Sequence, residues 1–199
     1  MNVQNKRVLV TGAGGFIGRH LCRVLRGRGA LVVGFVKSRG AQKTCDDGQH
    51  VVDIADRLRV RQLVLDAQPD LVVHLAANKN RGVGLAEYRS GYEANLSGSL
   101  NLVEACQELT SLARFVFLGS CEEYGQQPAP FDESSREMPV SAYAVTKLAV
   151  TQLLQTLARA NDFPAVVLRP SIVYGPGQGA DMFLPALIGA LVSGRSPTS

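Results

Sequence analysis

The chain has 199 residues, enough for one sizeable core and too few for two large domains. A composition of 46% hydrophobic and 19% charged residues excludes a disordered polyelectrolyte. The formal net charge of +4 is dispersed, with no basic stripe interleaved with aromatics, so no nucleic-acid partner is expected.

Cys22, Cys45, Cys106 and Cys121 are far apart and form no C-x-x-C pair, and the three histidines are isolated. That spacing points to reduced thiols and to no metal site. The N-terminal residues run straight into a strand without a signal-like segment, and the best apolar stretch, residues 184–192, is about half a membrane span. A cytoplasmic protein with no membrane partner is expected.

In chain order, residues 7–11 (RVLVT) form a strand, followed by a glycine turn and a helix reaching Arg28. Gly29 caps that helix, residues 31–36 make the second strand, and 50–54 a short third. Asp56 N-caps a helix through Asp66, and residues 70–75 form the fourth strand. A long helix over 87–109 leads to the fifth strand at 114–119, a second long helix over 141–160 to the sixth at 165–169, and a last helix covers 181–194. Continuous Val/Leu/Ile runs predict strands covered on both faces. With intervening helices the pattern predicts an α/β fold: a doubly wound parallel sheet with helices on both faces, binding its ligand at the carboxyl ends of the strands.

The turn after the first strand reads Thr11-Gly12-Ala13-Gly14-Gly15-Phe16-Ile17-Gly18, with spacing G-x-x-G-x-x-G. Gly12 permits the tight turn, Gly15 admits a pyrophosphate against the backbone, and Gly18 lets the helix lie close to the sheet. The free amides of the helix start, around Phe16 and Ile17, hold the anion. Between a strand and a helix this turn points to a Rossmann-type dinucleotide site, with Ile17 standing where the G-x-G-x-x-G pattern has its last glycine. An acidic residue at the end of the second strand binds the ribose hydroxyls of NAD in such sites. Here Val36 stands there, followed by Lys37, Ser38 and Arg39, which favours NADP over NAD because two cations and a hydroxyl suit a 2′-phosphate. Asp53, after the third strand, suits the adenine amino group, with Ile54 against the ring.

Tyr143 and Lys147 are four residues apart in a helical segment, hence on one face. The lysine ammonium is expected to lower the phenol pKa and let Tyr143 exchange a proton with an alcohol or carbonyl. Ser120, just past the fifth strand, offers a hydroxyl to the same oxygen.

Together the TGAGGFIG turn, Asp53-Ile54, His74-Leu75-Ala76-Ala77, Asn95, Ser120 through Tyr124-Gly125, Tyr143 with Lys147, Leu168-Arg169-Pro170 and Tyr174-Gly175-Pro176 resemble the extended short-chain dehydrogenase/reductase family, also called the NAD-dependent epimerase/dehydratase family. The resemblance implies that Ser120, Tyr143 and Lys147 are a catalytic triad supported by Asn95. It implies that Leu75, Ala76, Ala77 and Pro170 line the cofactor, and that Tyr143 and Lys147 also meet it. It implies an NAD(P)-dependent epimerase or reductase acting on a keto or hydroxyl carbon of a nucleotide sugar, and a homodimer formed through the two long helices. Two alternatives stay open: dehydratase-like chemistry with Glu122 as base, and a dinucleotide-binding scaffold without catalysis. Two positions depart from the pattern, Cys121 where Asp often stands and Ile172 where Asn is usual in sugar-nucleotide enzymes. Family members also commonly extend further, so residues 1–180 are expected to form the dinucleotide-binding domain and 181–199 the start of a truncated substrate lobe.

Overall fold

Strand β1 (Arg7–Thr11) alternates its side chains between two cores, and the rest of the fold is built on that alternation. In the computed structural model, which describes residues 2–38 and 48–194, Leu9 faces one core while Val8 and Val10 face the other. Both faces of β1 are therefore covered, as its unbroken apolar run requires. β1 pairs in parallel with β2 (Leu31–Val36) on one side and with β4 (Leu71–His74) on the other. With β3 (Gln49–Val51), β5 (Arg114–Leu118) and β6 (Ala165–Leu168), the parallel sheet has the order β3-β2-β1-β4-β5-β6. Strand order reverses beside β1, and a crevice opens there at the carboxyl ends of β1 and β4.

Helix α1 (Phe16–Gly27) buries Gly18, Cys22 and Leu25 over the Val8/Val10 face. The opposite face is covered by α2 (Arg57–Ala67), by the helical segment running from Leu85 to Gln107, and by α5 (Ala142–Asn161). Leu9, Phe35, Val60, Val72, Leu102, Phe115, Phe117 and Leu154 pack together there. The caps are encoded locally: Asp56 Oδ1 accepts the Arg59 amide at 3.0 Å, and Ser141 Oγ accepts the Ala144 amide at 3.2 Å.

Three expectations change. The third strand ends at Val51 rather than Ile54, because Asp53 folds the chain away: its Oδ1 accepts the Ala55 amide and its carbonyl the Asp56 amide. The long helix over 87–109 is α3 (Leu85–Gly91), a π-helical stretch Tyr92–Ser97, and α4 (Gly98–Gln107). Burial on both faces fails for β6, where Val166 is 38% and Leu168 48% exposed among the described residues. The last helix, α6, spans Phe183–Val192 and buries none of its residues.

Candidate functional site

A cleft of about 1200 Å³ lies over the carboxyl ends of the strands. Its lining includes Gly12, Gly15, Phe16, Ile17 and Gly18 from the glycine turn, and Lys37, Asp53 and Ile54 beyond β2 and β3. Leu75, Ala76 and Ala77 follow β4 along its wall, and Ser120, Glu122, Tyr143, Lys147 and Pro170 close its far end. All the site residues expected from the sequence thus converge, apart from Arg39, which lies outside the described residues.

The glycines have separate reasons to be there. Gly12 has φ +68°, and a Cβ on it would stand 2.9 Å from the Ala76 amide nitrogen. A Cβ on Gly18 would meet the Gly12 carbonyl oxygen at 2.2 Å, so α1 approaches the turn only as glycine. At Gly15 a Cβ would touch only that carbonyl, at 3.2 Å, and its remaining side opens on the cleft. A bare backbone at a helix start, facing a cleft long enough to reach Tyr143, fits a dinucleotide pyrophosphate.

Behind this wall runs a hydrogen-bonded chain. Thr11 Oγ1 accepts the Leu75 and Ala76 amides at 3.2 and 3.1 Å and lies 2.6 Å from His74 Nδ1. His74 Nε2 lies 2.8 Å from Ser99 Oγ, and the Ser99 hydroxyl donates to the Asn95 carbonyl. Because Ser99 has only one proton, already given to Asn95, His74 Nε2 must be the donor and Nδ1 accepts from Thr11. The imidazole is neutral, since burial, and next the charge of Lys147, hold its pKa down to about 3. Asn95, in the π-helical stretch, donates to Thr146 Oγ1 at 2.8 Å and to the Asn78 carbonyl at 3.0 Å, and accepts the Asn78 amide at 2.6 Å. The π stretch thereby ties the β4 loop to the helix bearing Tyr143 and Lys147.

Lys147 lies under the cleft floor, its Nζ donating to the Leu118 carbonyl at 2.5 Å and standing 4.3 Å from the Phe117 ring centre. Burial pushes its pKa down to about 8, against the attraction of Glu123. The expected lowering of the Tyr143 phenol does not occur in the protein alone. Burial first, and then the Glu122 charge, raise it, while Arg81 and a hydrogen bond with Ser120 act the other way. Lys147 Nζ stands 5.9 Å from the Tyr143 ring centre and is already engaged with Leu118.

Two features were not anticipated. Arg81 grips Glu122 and lays its guanidinium 5.1 Å from the Tyr143 ring centre, so the carboxylate that the dehydratase alternative would use as a base is already paired. Ser120 N-caps a short 3₁₀ turn, Cys121–Glu123, in a reciprocal box with Glu123. The S-x-x-E signal for that box was present in the sequence. At the other end of the cleft, Lys37 Nζ stands 3.5 Å from Asp53 Oδ2. The lean toward NADP is therefore unsupported: one of its two cations has an acidic partner and the other, Arg39, is outside the described residues. Among the described residues, no group of three or more His, Cys, Asp or Glu could hold a metal ion, and no helix is long and apolar enough to cross a membrane.

A six-stranded parallel sheet with a glycine turn at its switch point defines a dinucleotide-binding α/β protein. More narrowly, the chain belongs to the NAD dependent epimerase/dehydratase family, whose profile matches residues 8–199. It is 34% identical over 177 residues to a UDP-glucose 4-epimerase of Rhizobium leguminosarum bv. trifolii, covering 87% of this chain and 53% of that protein. Among solved structures it is similar to the UDP-N-acetylglucosamine 4-epimerase of Methanobrevibacter ruminantium M1, with a TM-score of 0.86, 27% identity, and coverage of 98% of this chain and 65% of that one. The UDP-glucuronic acid 4-epimerase of Bacillus cereus, solved with UDP-glucuronic acid and NAD, gives a TM-score of 0.82 at 29% identity, over 96% of this chain and 64% of that one. The chain spans 53% of the length of that Rhizobium relative and 61% of the length of a curated Bacillus subtilis relative.

Proposed function

We propose that the cleft holds NAD and serves a nucleotide-sugar epimerase, with Ser120, Tyr143 and Lys147 as the proton-handling set. The observation that carries this reading is the convergence of those three residues on the cleft that begins at the glycine turn. The relatives described above, three sugar-nucleotide 4-epimerases, favour epimerisation at a hydroxyl-bearing carbon over net reduction. NAD is preferred to NADP because Lys37 faces Asp53 and because the Bacillus cereus relative was solved with NAD.

In this reading the amides around Phe16 and Ile17 hold the pyrophosphate, Asp53 and Ile54 meet the adenine, and Leu75, Ala76, Ala77 and Pro170 form the walls. When bound, the nicotinamide supplies a reversible hydride acceptor. Tyr143 takes the proton from the substrate hydroxyl and returns it, and Ser120 donates a hydrogen bond to the same oxygen. Lys147, bound to the Leu118 carbonyl, keeps positive charge beneath the phenol and offers its remaining donors to the cofactor ribose. Asn95 keeps α5 in register through Thr146.

A dehydratase reading would need Glu122 free to remove a carbon-bound proton, and the Arg81 grip disfavours it. A non-catalytic scaffold would have no use for the intact Ser120–Tyr143–Lys147 set. Residues 1–180 make up the dinucleotide domain in this reading, and the exposed apolar residues Phe183, Ile188 and Leu191 mark the start of the substrate lobe. A cytoplasmic location and a homodimer through the Leu85–Gln107 segment and α5 complete the proposal. Sedimentation at a monomer's mass would reject the dimer.

The direct test is to incubate the protein with NAD and UDP-glucose and follow formation of the C4 epimer by proton NMR. Tyr143→Phe should lower turnover about a hundredfold to ten-thousandfold with cofactor affinity nearly unchanged. Turnover unchanged in Tyr143→Phe would remove Tyr143 from its role. A requirement for added NADPH would replace epimerase by reductase.

A further inference from the structure

Glu123 has no solvent exposure, although its neighbour Glu122 lines the cleft. A buried carboxylate is costly unless it is paired, so its partners indicate its task. Its Oε1 accepts the Ser120 amide at 2.9 Å, and its Oε2 accepts Arg169 Nε at 2.7 Å. Arg169 reaches Glu137 with its other arm, also at 2.7 Å, and stacks 4.7 Å from the Tyr124 ring centre. Space for the carboxylate is reserved in the strand end, where a Cβ on Gly119 would stand 2.5 Å from Glu123 Oε1.

Gly119 lies between the two backbone positions that hold the proton-handling set. On one side, the Leu118 carbonyl receives Lys147 Nζ. On the other is Ser120, whose Oγ accepts the Glu122 amide at 3.1 Å and which lines the cleft together with Tyr143. Glu123, Arg169 and Glu137 together carry one net negative charge beside Ser120, at the same strand end whose Leu118 carbonyl holds Lys147 Nζ.

We propose that Glu123 is a positioning residue: it fixes the backbone at Ser120, and so the Ser120 hydroxyl, and it is the buried counter-charge of Lys147. The proposal rests on the reading of Ser120, Tyr143 and Lys147 as the reacting set, but its test needs no turnover. The charged and titratable groups acting on Lys147 are Glu123 from the 3₁₀ turn, Lys79 from the β4 loop, neutral His74 from β4, and Tyr143 on its own helix. Of these, Glu123 favours the ammonium and Lys79 opposes it.

The chain has five lysines, so carbon-13 labelling at lysine Cε resolves each titration by NMR, and Lys147→Arg assigns the Lys147 resonance. Lys147 should titrate near 8 in the native chain. Glu123→Gln should lower that midpoint by about one unit or more. Arg169→Lys perturbs the same cluster but keeps the Glu123 charge and a cation beside it, so the Lys147 midpoint should stay. A midpoint unmoved in folded Glu123→Gln, or lowered equally in Arg169→Lys, overturns the counter-charge. A separate measurement on the native chain covers the case in which Glu123→Gln does not fold. The Ser120 amide, whose acceptor is Glu123, should exchange its hydrogen slowly, and exchange at the rate of an open loop would overturn the positioning role. Loss of NAD binding with these results intact would count against the proposed function and not against Glu123.

Discussion

Arg81 and Glu122 are joined by three hydrogen bonds of 2.6 to 3.1 Å from two guanidinium nitrogens, and the pair overhangs the Tyr143 ring. The two charges act on the phenol in opposite directions: Glu122 disfavours phenolate and Arg81 favours it. Arg81→Gln should therefore move the Tyr143 titration upward and Glu122→Gln downward, read by NMR of tyrosine labelled at Cζ. Because the pair is partly exposed, either change should alter stability by no more than about 1 kcal/mol. Shifts of the same sign in both variants would show that the pair does not set the field at Tyr143.

The closeness of α1 to the glycine turn predicts the effect of one added methyl. Gly18→Ala would put a Cβ 2.2 Å from the Gly12 carbonyl oxygen, and that clash is with backbone. The helix must shift, at a cost of about 1–3 kcal/mol in thermal or denaturant unfolding. The same shift moves the amides of Phe16 and Ile17, so NAD affinity should fall as well. Unchanged stability and affinity would contradict the packing described for Gly18.

Acid should weaken the fold through His74. Its folded pKa of about 3 lies below the unfolded value near 6.5, lowered by burial first and by Lys147 next. Between those values the unfolded chain binds a proton that the folded chain does not. Stability from this group is thus complete above about pH 6.5 and declines as pH falls toward 3, by up to about 1.4 kcal/mol per pH unit. Comparing denaturant unfolding at pH 7 and pH 5 in the native chain and in His74→Gln isolates this slope from that of the carboxylates. An equal slope in both proteins would mean that His74 is protonated in the folded state.

The strands were legible because each is a short run of Val, Leu, Ile or Phe between glycines and polar residues, as in LVVGFV and RFVFL. Tyr143 and Lys147 were legible because their spacing is a property of any helix, and Ser141 marks where that helix starts. The π-helical stretch was not, since widening one turn leaves the apolar period nearly unchanged, and only Asn95 hints at it. Arg81 was invisible because its partner is 41 residues away. In sequence Lys37 is a loop cation, and its nearness to Asp53 shows only in the fold. Glu123 shows a different failure, because its capping-box spacing with Ser120 was in plain view but precedes no apolar run.

Isothermal titration calorimetry with NAD and with NADP tests whether the cleft is an NAD site. Saturable binding of one NAD per chain is expected, weakened by Gly18→Ala, with NADP binding more weakly. Absence of NAD binding, or tighter binding of NADP, would contradict it.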